Sequence, residues 1–458
     1  MNLQGIQIPI RHSPVLDKGF IPLSLFFARH QQLAKKPFAV AVERTGGHIT
    51  VYDTKIIGEQ AYAKADRYYV DRLVKFLLWS RGGFCVTLCG DKALGKAVAQ
   101  AYTDTGERAF DKGFMERVYG RPFAVRLRGY EERPVENEIS KPIGRHLDGC
   151  RIGFDAGGSD RKVSAVIDGE PVYSEEVVWF PKEKSNPQYH YDGIMEALRT
   201  AAAKMPRVDA IGVSSAGVFI DNRCKVASLF LKVSPQDFKT QAEDIYLRAA
   251  KEMGNIPIVV ANDGDVTALA GAMSIRKNGV LGIAMGTSEA AGYVNTAGNI
   301  TGWLNELAFA PVDGQPDAMR DEWSGDIGCG VKYLSQDGVI KLAGNAGIPL
   351  AGANPAEKLK EVQALLEKGD ARAEAVYRSA GVYFGHTLAL YSMFYEIRHV
   401  LIMGRVMSGR GGDILLEETL RVLREEYPHL AFSAGAPDEK ARRVGQSVAA
   451  ASLPKLCD

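Results

Sequence analysis

Apolar and polar positions along the chain alternate between the two-residue period of strands and the 3.6-residue period of helices, and they do so in three successive blocks. In residues 1–149, PFAVAVERT (37–45) and HITVYDTKI (48–56) read as strands separated by Gly46-Gly47. YYVDRLVKFLLW (68–79) reads as a helix, FCVTLCG (84–90) as an apolar strand after Gly82-Gly83, and KALGKAVAQAY (92–102) as a further helix. This block is an α/β module that closes on the charged linker YEERPVENEISKPIGRH, rich in Pro and Glu.

The second block, residues 150–275, opens with the strands CRIGFDAGG (150–158) and RKVSAVID (161–168). The Gly/Ser turn between them predicts a hairpin, because glycine accepts the positive φ that tight turns demand. Helix DGIMEALRTAAAKM, strand VDAIGVSSAG, helix QAEDIYLRAAKEMG and strand IPIVVAND follow, an alternation that predicts a sheet flanked by helices. The third block, residues 276–458, repeats the opening with VLGIAMG, a Gly/Ser turn and AAGYVNTAGNITG. Helix AEAVYRSAGVYFGHTLALYSMFYEI, strand HVLIMG and helix DILLEETLRVLREEY complete it. The same element order twice implies two related lobes, with no short-period repeat of the solenoid kind.

Four turns carry candidate chemistry. Asp155-Ala-Gly-Gly-Ser159 is either an ordinary hairpin or a phosphate site: Gly157 and Gly158 let amides approach an anion, Ser159 adds a hydroxyl, and Asp155 can hold Mg²⁺ through water. Gly286-Thr287-Ser288 is a second turn of that kind about 130 residues on, and two such turns across a cleft would grip a triphosphate. Ala261-Asn262-Asp263-Gly264-Asp265 follows an apolar strand and precedes a helix. A carboxylate there either faces a ligand or caps the helix, with Asp265 a competing cap. In HVLIMGRVMSGRGGD, Gly404 and the glycines after it either form a flexible loop or let a nucleobase or ribose lie against backbone.

At 458 residues the chain exceeds what a single core supports. Its 56 Lys+Arg against 55 Asp+Glu give a net charge of +1, which offers no support for binding nucleic acid through phosphates. The N-terminus has no secretory pattern and no 18-residue uncharged apolar run follows, so a cytoplasmic location without membrane attachment is expected. The six cysteines, Cys457 among them, are spaced neither as a disulfide framework nor as paired zinc ligands, and Cys85 and Cys89 read as core thiols on one strand face. Gly90-Asp-Lys-Ala-Leu-Gly95-Lys96-Ala97 approaches a nucleotide-binding P-loop, but Ala97 lacks the oxygen that motif needs for Mg²⁺, so a solvated helix start is expected. His190, between two tyrosines, reads as structural.

In their order and spacing, six segments resemble the ROK (repressor, ORF, kinase) family of actin-like ATPases over about residues 150–450. They are GFDAGGSDRKVSAVIDG, DAIGVSSAGVFIDN, IVVANDGDVTALAG, GIAMGTSEAAGYV, TGWLNELAFAPVD and HVLIMGRVMSG. The resemblance implies a two-lobed actin-like ATPase (ribonuclease H-like) α/β fold, here with an additional N-terminal α/β domain. It implies phosphoryl transfer from ATP, with Mg²⁺, to a sugar hydroxyl, and a homodimer. Asp263 would be the general base, and Asn262 and Glu306 would bond the sugar.

Several positions depart from the family pattern. Phe309 stands where a zinc-ligating His is usual and the following loop has only Cys329, so no zinc site is expected. Val331 replaces a second sugar-facing Glu, and Ser228 stands at a position where Asn is frequent. Glu289 falls in the second phosphate loop, where a carboxylate would repel phosphate unless it points outward or binds metal. These departures sustain two other readings, a catalytically silent sugar-binding sensor and an actin-like kinase acting on a non-sugar alcohol or acid. The first block shows no basic helix-turn-helix, and an interface or a lid is its expected role.

Overall fold

The computed structural model describes residues 1–138, 143–436 and 445–456. Cys457 and part of the charged linker lie outside the described residues.

Strands Cys150–Ala156, Asp160–Ile167 and Glu170–Val178 form an antiparallel meander. Ala210–Ser215 then pairs parallel to the first of them, and Ile258–Asn262 parallel to Ala210–Ser215. Cys150–Ala156 and Ala210–Ser215 are buried along their whole length, as strands covered on both faces are. The second lobe repeats the plan. Val280–Met285 and Glu289–Val294 form a hairpin, His399–Met403 pairs parallel to its first strand, and Ser433–Gly435 parallel to that.

The chain ends on the first lobe. Helix Gly445–Ala451 lies directly on the backbone of two of its strands. A Cβ at Gly212 would sit 1.6 Å from the Ala450 carbonyl oxygen, and one at Gly153 1.8 Å from that of Ser447. The lobes meet as closely where helix Asp263–Ile275 crosses the second-lobe hairpin, since a Cβ at Gly292 would lie 2.1 Å from the Gly264 oxygen.

The N-terminal block has its own four-stranded sheet, in the order Ile49–Ile56, Lys36–Glu43, Cys85–Cys89, Ala124–Arg128. Helix Ala63–Arg81 is buried from Tyr69 onward and packs between that sheet and the second lobe. Phe76 on this helix stacks on Phe394 with ring centroids 4.0 Å apart, and the buried apolar residues of block and lobe form one continuous core. Charges are buried there too. Asp326 of the second lobe meets Arg108 at 2.7 Å, Arg72 at 2.8 Å and Lys75 at 3.3 Å. Asp71 and Asp111 complete the network against Arg108 and Lys75.

Cys85 and Cys89 are buried core thiols, as their strand position suggests. The Gly90–Ala97 segment is a capped helix start: Asp91 accepts from the Ala93 and Leu94 amides, both at 3.0 Å. Among the described residues no helix is long and apolar enough to cross a membrane.

Candidate functional site

The turn Gly157–Ser159 closes the first hairpin, and the chain beyond the third strand straps it. Trp179 donates its backbone amide to the Ser159 carbonyl at 3.1 Å and its indole N–H to the Gly157 carbonyl at 2.8 Å. Asp155, one turn below, is buried, and its Oδ1 accepts from Ser214 at 2.7 Å and Gln446 at 3.3 Å. Burial pushes this carboxyl up to about 6; the Ser214 bond opposes that and the charge of Asp263 adds to it. Both hydrogen bonds fall on Oδ1, which leaves Oδ2 without a hydrogen-bond partner among the described residues, a donor set compatible with a hydrated cation.

Across the cleft, the Gly286–Ser288 turn is fixed from below by the Gln336 amide, which donates to the Gly286 carbonyl at 2.9 Å, while Thr287 and Ser288 remain exposed. Glu289 begins the next strand and points the other way. It is 3% exposed, Tyr391 donates to its Oε1 at 2.8 Å, and burial raises its carboxyl to about 8. Its charge is therefore not presented to an anion at the turn, because strand alternation sends this side chain into the core.

Asn262 and Asp263 end one strand and start one helix. Asn262 is the cap: its Oδ1 accepts from the Gly264 amide at 2.7 Å and its Nδ2 donates to the Gly217 carbonyl at 2.7 Å. One donor and one acceptor position of the amide remain for a ligand. Asp265 does not cap; its Oδ1 accepts from the Tyr293 amide and from Asn305, which ties the helix to the second lobe. Asp263 lines the cleft, where its Oδ1 accepts from the Gly264 amide at 3.0 Å; burial raises its carboxyl above the usual range, opposed by backbone amides and, least, by the charge of Lys182. Glu306 makes no side-chain hydrogen bond among the described residues, and burial, then the charges of Asp263 and Asp265, push it up to about 7.

Two cavities flank this pair. One of about 440 Å³ is lined by Asp263 and Thr267, by Gly282 and Ala290 of the second-lobe hairpin, and by Gly404 and Ser408. It lies between the start of helix Asp263–Ile275, the second-lobe hairpin and the glycine loop, and Gln446 reaches it as well. Gly404 needs to be glycine twice over: its φ is +100°, and a Cβ would lie 2.3 Å from the Met285 oxygen. The other, about 360 Å³, is lined by Asn262, Gly217, Asp265 and Trp303, and by Arg44 and His48 of the N-terminal block.

Glu306 owes its position to that block. The last carbonyls of helix Ala63–Arg81, those of Trp79, Ser80 and Arg81, accept from the amides of Glu306, Asn305 and Leu304. The open end of one helix thus holds the segment that carries the carboxylate. His190 is an anchor, its Nε2 3.0 Å from the Pro181 and Leu229 carbonyls. Phe309 packs on Trp79 with centroids 4.4 Å apart, Cys329 is buried, and no cluster of three or more His, Cys, Asp or Glu placed to hold a metal ion occurs among the described residues.

Sequence reasoning did not find Trp179, Ser214, Gln446 or Lys182. Gln446 is 291 residues from Asp155 and no local pattern marks it.

The sequence profile of the ROK family matches residues 151–434. No curated protein matches the chain by sequence. Among solved structures, the ROK hexokinase from Thermus thermophilus is 20% identical with a TM-score of 0.51, over 66% of this chain and 97% of that one. A ROK family glucokinase from Streptomyces griseus, in complex with glucose and AMPPNP, is 18% identical with a TM-score of 0.48, over 66% and 98%. A ROK family transcriptional regulator, a homolog of the E. coli MLC protein, is 19% identical with a TM-score of 0.49, over 67% and 79%. The repeated strand plan of the two lobes is that of the actin-like ATPase fold.

Proposed function

Because the chain belongs to the ROK family, we propose that it is an ATP-dependent kinase that phosphorylates a sugar hydroxyl. The observation that carries this reading is the placement of Asn262 and Asp263 between two cavities. The larger fits a nucleotide, with Gly404 against its base or ribose and with Gly157, Gly158, Ser159, Gly286, Thr287 and Ser288 around its phosphates. The smaller fits the acceptor. Asp263, whose raised carboxyl is a stronger base than an ordinary aspartate, takes the hydroxyl proton as the oxygen attacks the γ-phosphorus. Asn262 and Glu306 orient the acceptor. Asp155 would hold Mg²⁺ through water, and the ion would supply charge neutralisation on the phosphates.

A sugar-binding sensor that kept the fold is the second reading, and Val331 and Ser228, which depart from the family pattern, favour it. Glu289 no longer does, since its side chain faces Tyr391.

The test is ADP release from Mg-ATP across hexoses, amino sugars, N-acylated sugars and polyols. Sugar-dependent turnover that Asp263→Asn lowers by about 10²–10⁴ is the expected outcome. Sugar binding without turnover would move the chain to the sensor reading.

A further inference from the structure

The first phosphate-type turn has no cation of its own. Residues 155–160 read DAGGSD, and the two basic residues that follow are already engaged: Arg161 with the Gly193 carbonyl and Glu196, Lys162 with Asp160. A transferring phosphoryl group spreads negative charge over three oxygens, and amides alone answer it poorly.

One lysine stands in the gap. Lys182 lies on the turn Pro181–Glu183, just past the Trp179 that straps the phosphate turn. The segment is held at four points: the two bonds from Trp179 to the Ser159 and Gly157 carbonyls, the Phe180 amide to the Tyr189 hydroxyl at 3.0 Å, and His190 Nε2 at the Pro181 carbonyl. From there the side chain reaches back over the turn. A Cβ built on Gly158 would lie 2.8 Å from Lys182 Nζ and 2.6 Å from its Cε, so the end of this exposed side chain passes directly over the glycine. No carboxylate pairs with Lys182 among the described residues, and its charge is felt at Asp263.

We propose that Lys182 is a catalytic residue whose ammonium binds the γ-phosphoryl group of ATP above Gly158, between the phosphate turn and the base. This rests on the kinase reading. In the step it serves, the bond from the γ-phosphorus to the β,γ-bridging oxygen breaks and the acceptor oxygen bonds to phosphorus. The acceptor proton goes to Asp263 and the electron pair leaves with ADP. Lys182 neutralises the equatorial oxygens throughout and gives up no proton.

The test separates this residue from the function as a whole. Affinities of the full chain for Mg-ADP and for the Mg complex of a β,γ-imido ATP analogue are measured by calorimetry, for wild type, Lys182→Met, Lys182→Arg and Lys184→Met. Lys184, whose ammonium lies 5.4 Å from the Tyr189 ring, is the control. Lys182→Met should lose about tenfold or more in analogue affinity with ADP affinity unchanged. Lys182→Arg should retain most of it, and Lys184→Met should match wild type. With the sugar that supports turnover, Lys182→Met should lower kcat and leave the acceptor KM in place. Equal losses for ADP and analogue, or no loss for either, overturn the proposal while leaving the kinase reading intact. A wild type that binds neither nucleotide overturns both.

Discussion

Burial of Glu289, opposed by the hydrogen bond that Tyr391 donates to one of its oxygens, keeps a proton on this carboxyl in the folded chain to a pH of about 8, against an ordinary value of 4.5. Between those values the unfolded chain has lost a proton that the folded chain retains. Stability contributed by this group is therefore complete below the ordinary value and falls as pH rises through the window to about 8. Asp265 and Glu306, both raised to about 7, and Asp155, at about 6, act with the same sign. The melting temperature of the unliganded protein should thus decline from pH 5 to pH 8, with a shallower slope in Glu289→Gln. An unchanged slope in that variant would show that Glu289 is charged in the folded state. At this scale the sequence marks Asp155 and Asp263 through their place in turns at strand ends. It cannot give the sense in which Glu289 points, because that depends on which face of its strand meets Tyr391, a residue about a hundred positions away.

The C-terminal helix Gly445–Ala451 is held to the first lobe by contacts that leave no room for a side chain at Gly212 or Gly153. Gly212→Val should lift the helix from the sheet, withdraw Gln446 from Asp155, and cost about 1–3 kcal/mol or more as overpacking. Urea unfolding should show the loss and calorimetry a weaker affinity for Mg-ATP. Gly344→Ala is the matched control: this glycine sits in helix Gln336–Asn345 with nothing within 4 Å of its would-be Cβ, and the change should be neutral or stabilise by up to about 1 kcal/mol. Strands and helices that bury one face or both were legible from periodicity, and both phosphate-type hairpins fall where their Gly/Ser turns put them. Glu170–Val178 was not legible. It is the edge strand of its sheet, with three glutamates among its nine residues and a proline near its start, and a strand with no buried residue carries no clear alternation of apolar and polar positions.

The block at the N-terminus and the second lobe share one apolar core and one buried charge network, and neither face was built for water. Asp326 is the centre of that network. Burial alone would raise its carboxyl, yet Lys75, Arg72 and Arg108 hold it well below the usual carboxylate range. A depressed carboxyl stabilises the fold above its ordinary value of 3.8 and gives this up only as pH falls toward its folded value, so the contribution is constant across the neutral range. Asp326→Ala would leave three cations facing two carboxylates in the interior, at a cost of about 3–5 kcal/mol that added salt should barely change. The loop bearing Asp326 is bonded to the strand-like segment after Glu306 through Val312 and Gly328, and helix Ala63–Arg81 holds Glu306 directly. The same substitution should therefore raise the acceptor KM more than it lowers ATP affinity. Removing the whole block is the stronger form of the experiment. Residues 143–458 expressed alone would expose the Phe394 face and release the Glu306 segment from its helix end, so they should aggregate or unfold without a cooperative transition. A truncated chain that melts cooperatively and still binds sugar would mean that the shared core is a docked surface and that Glu306 keeps its place without the first block.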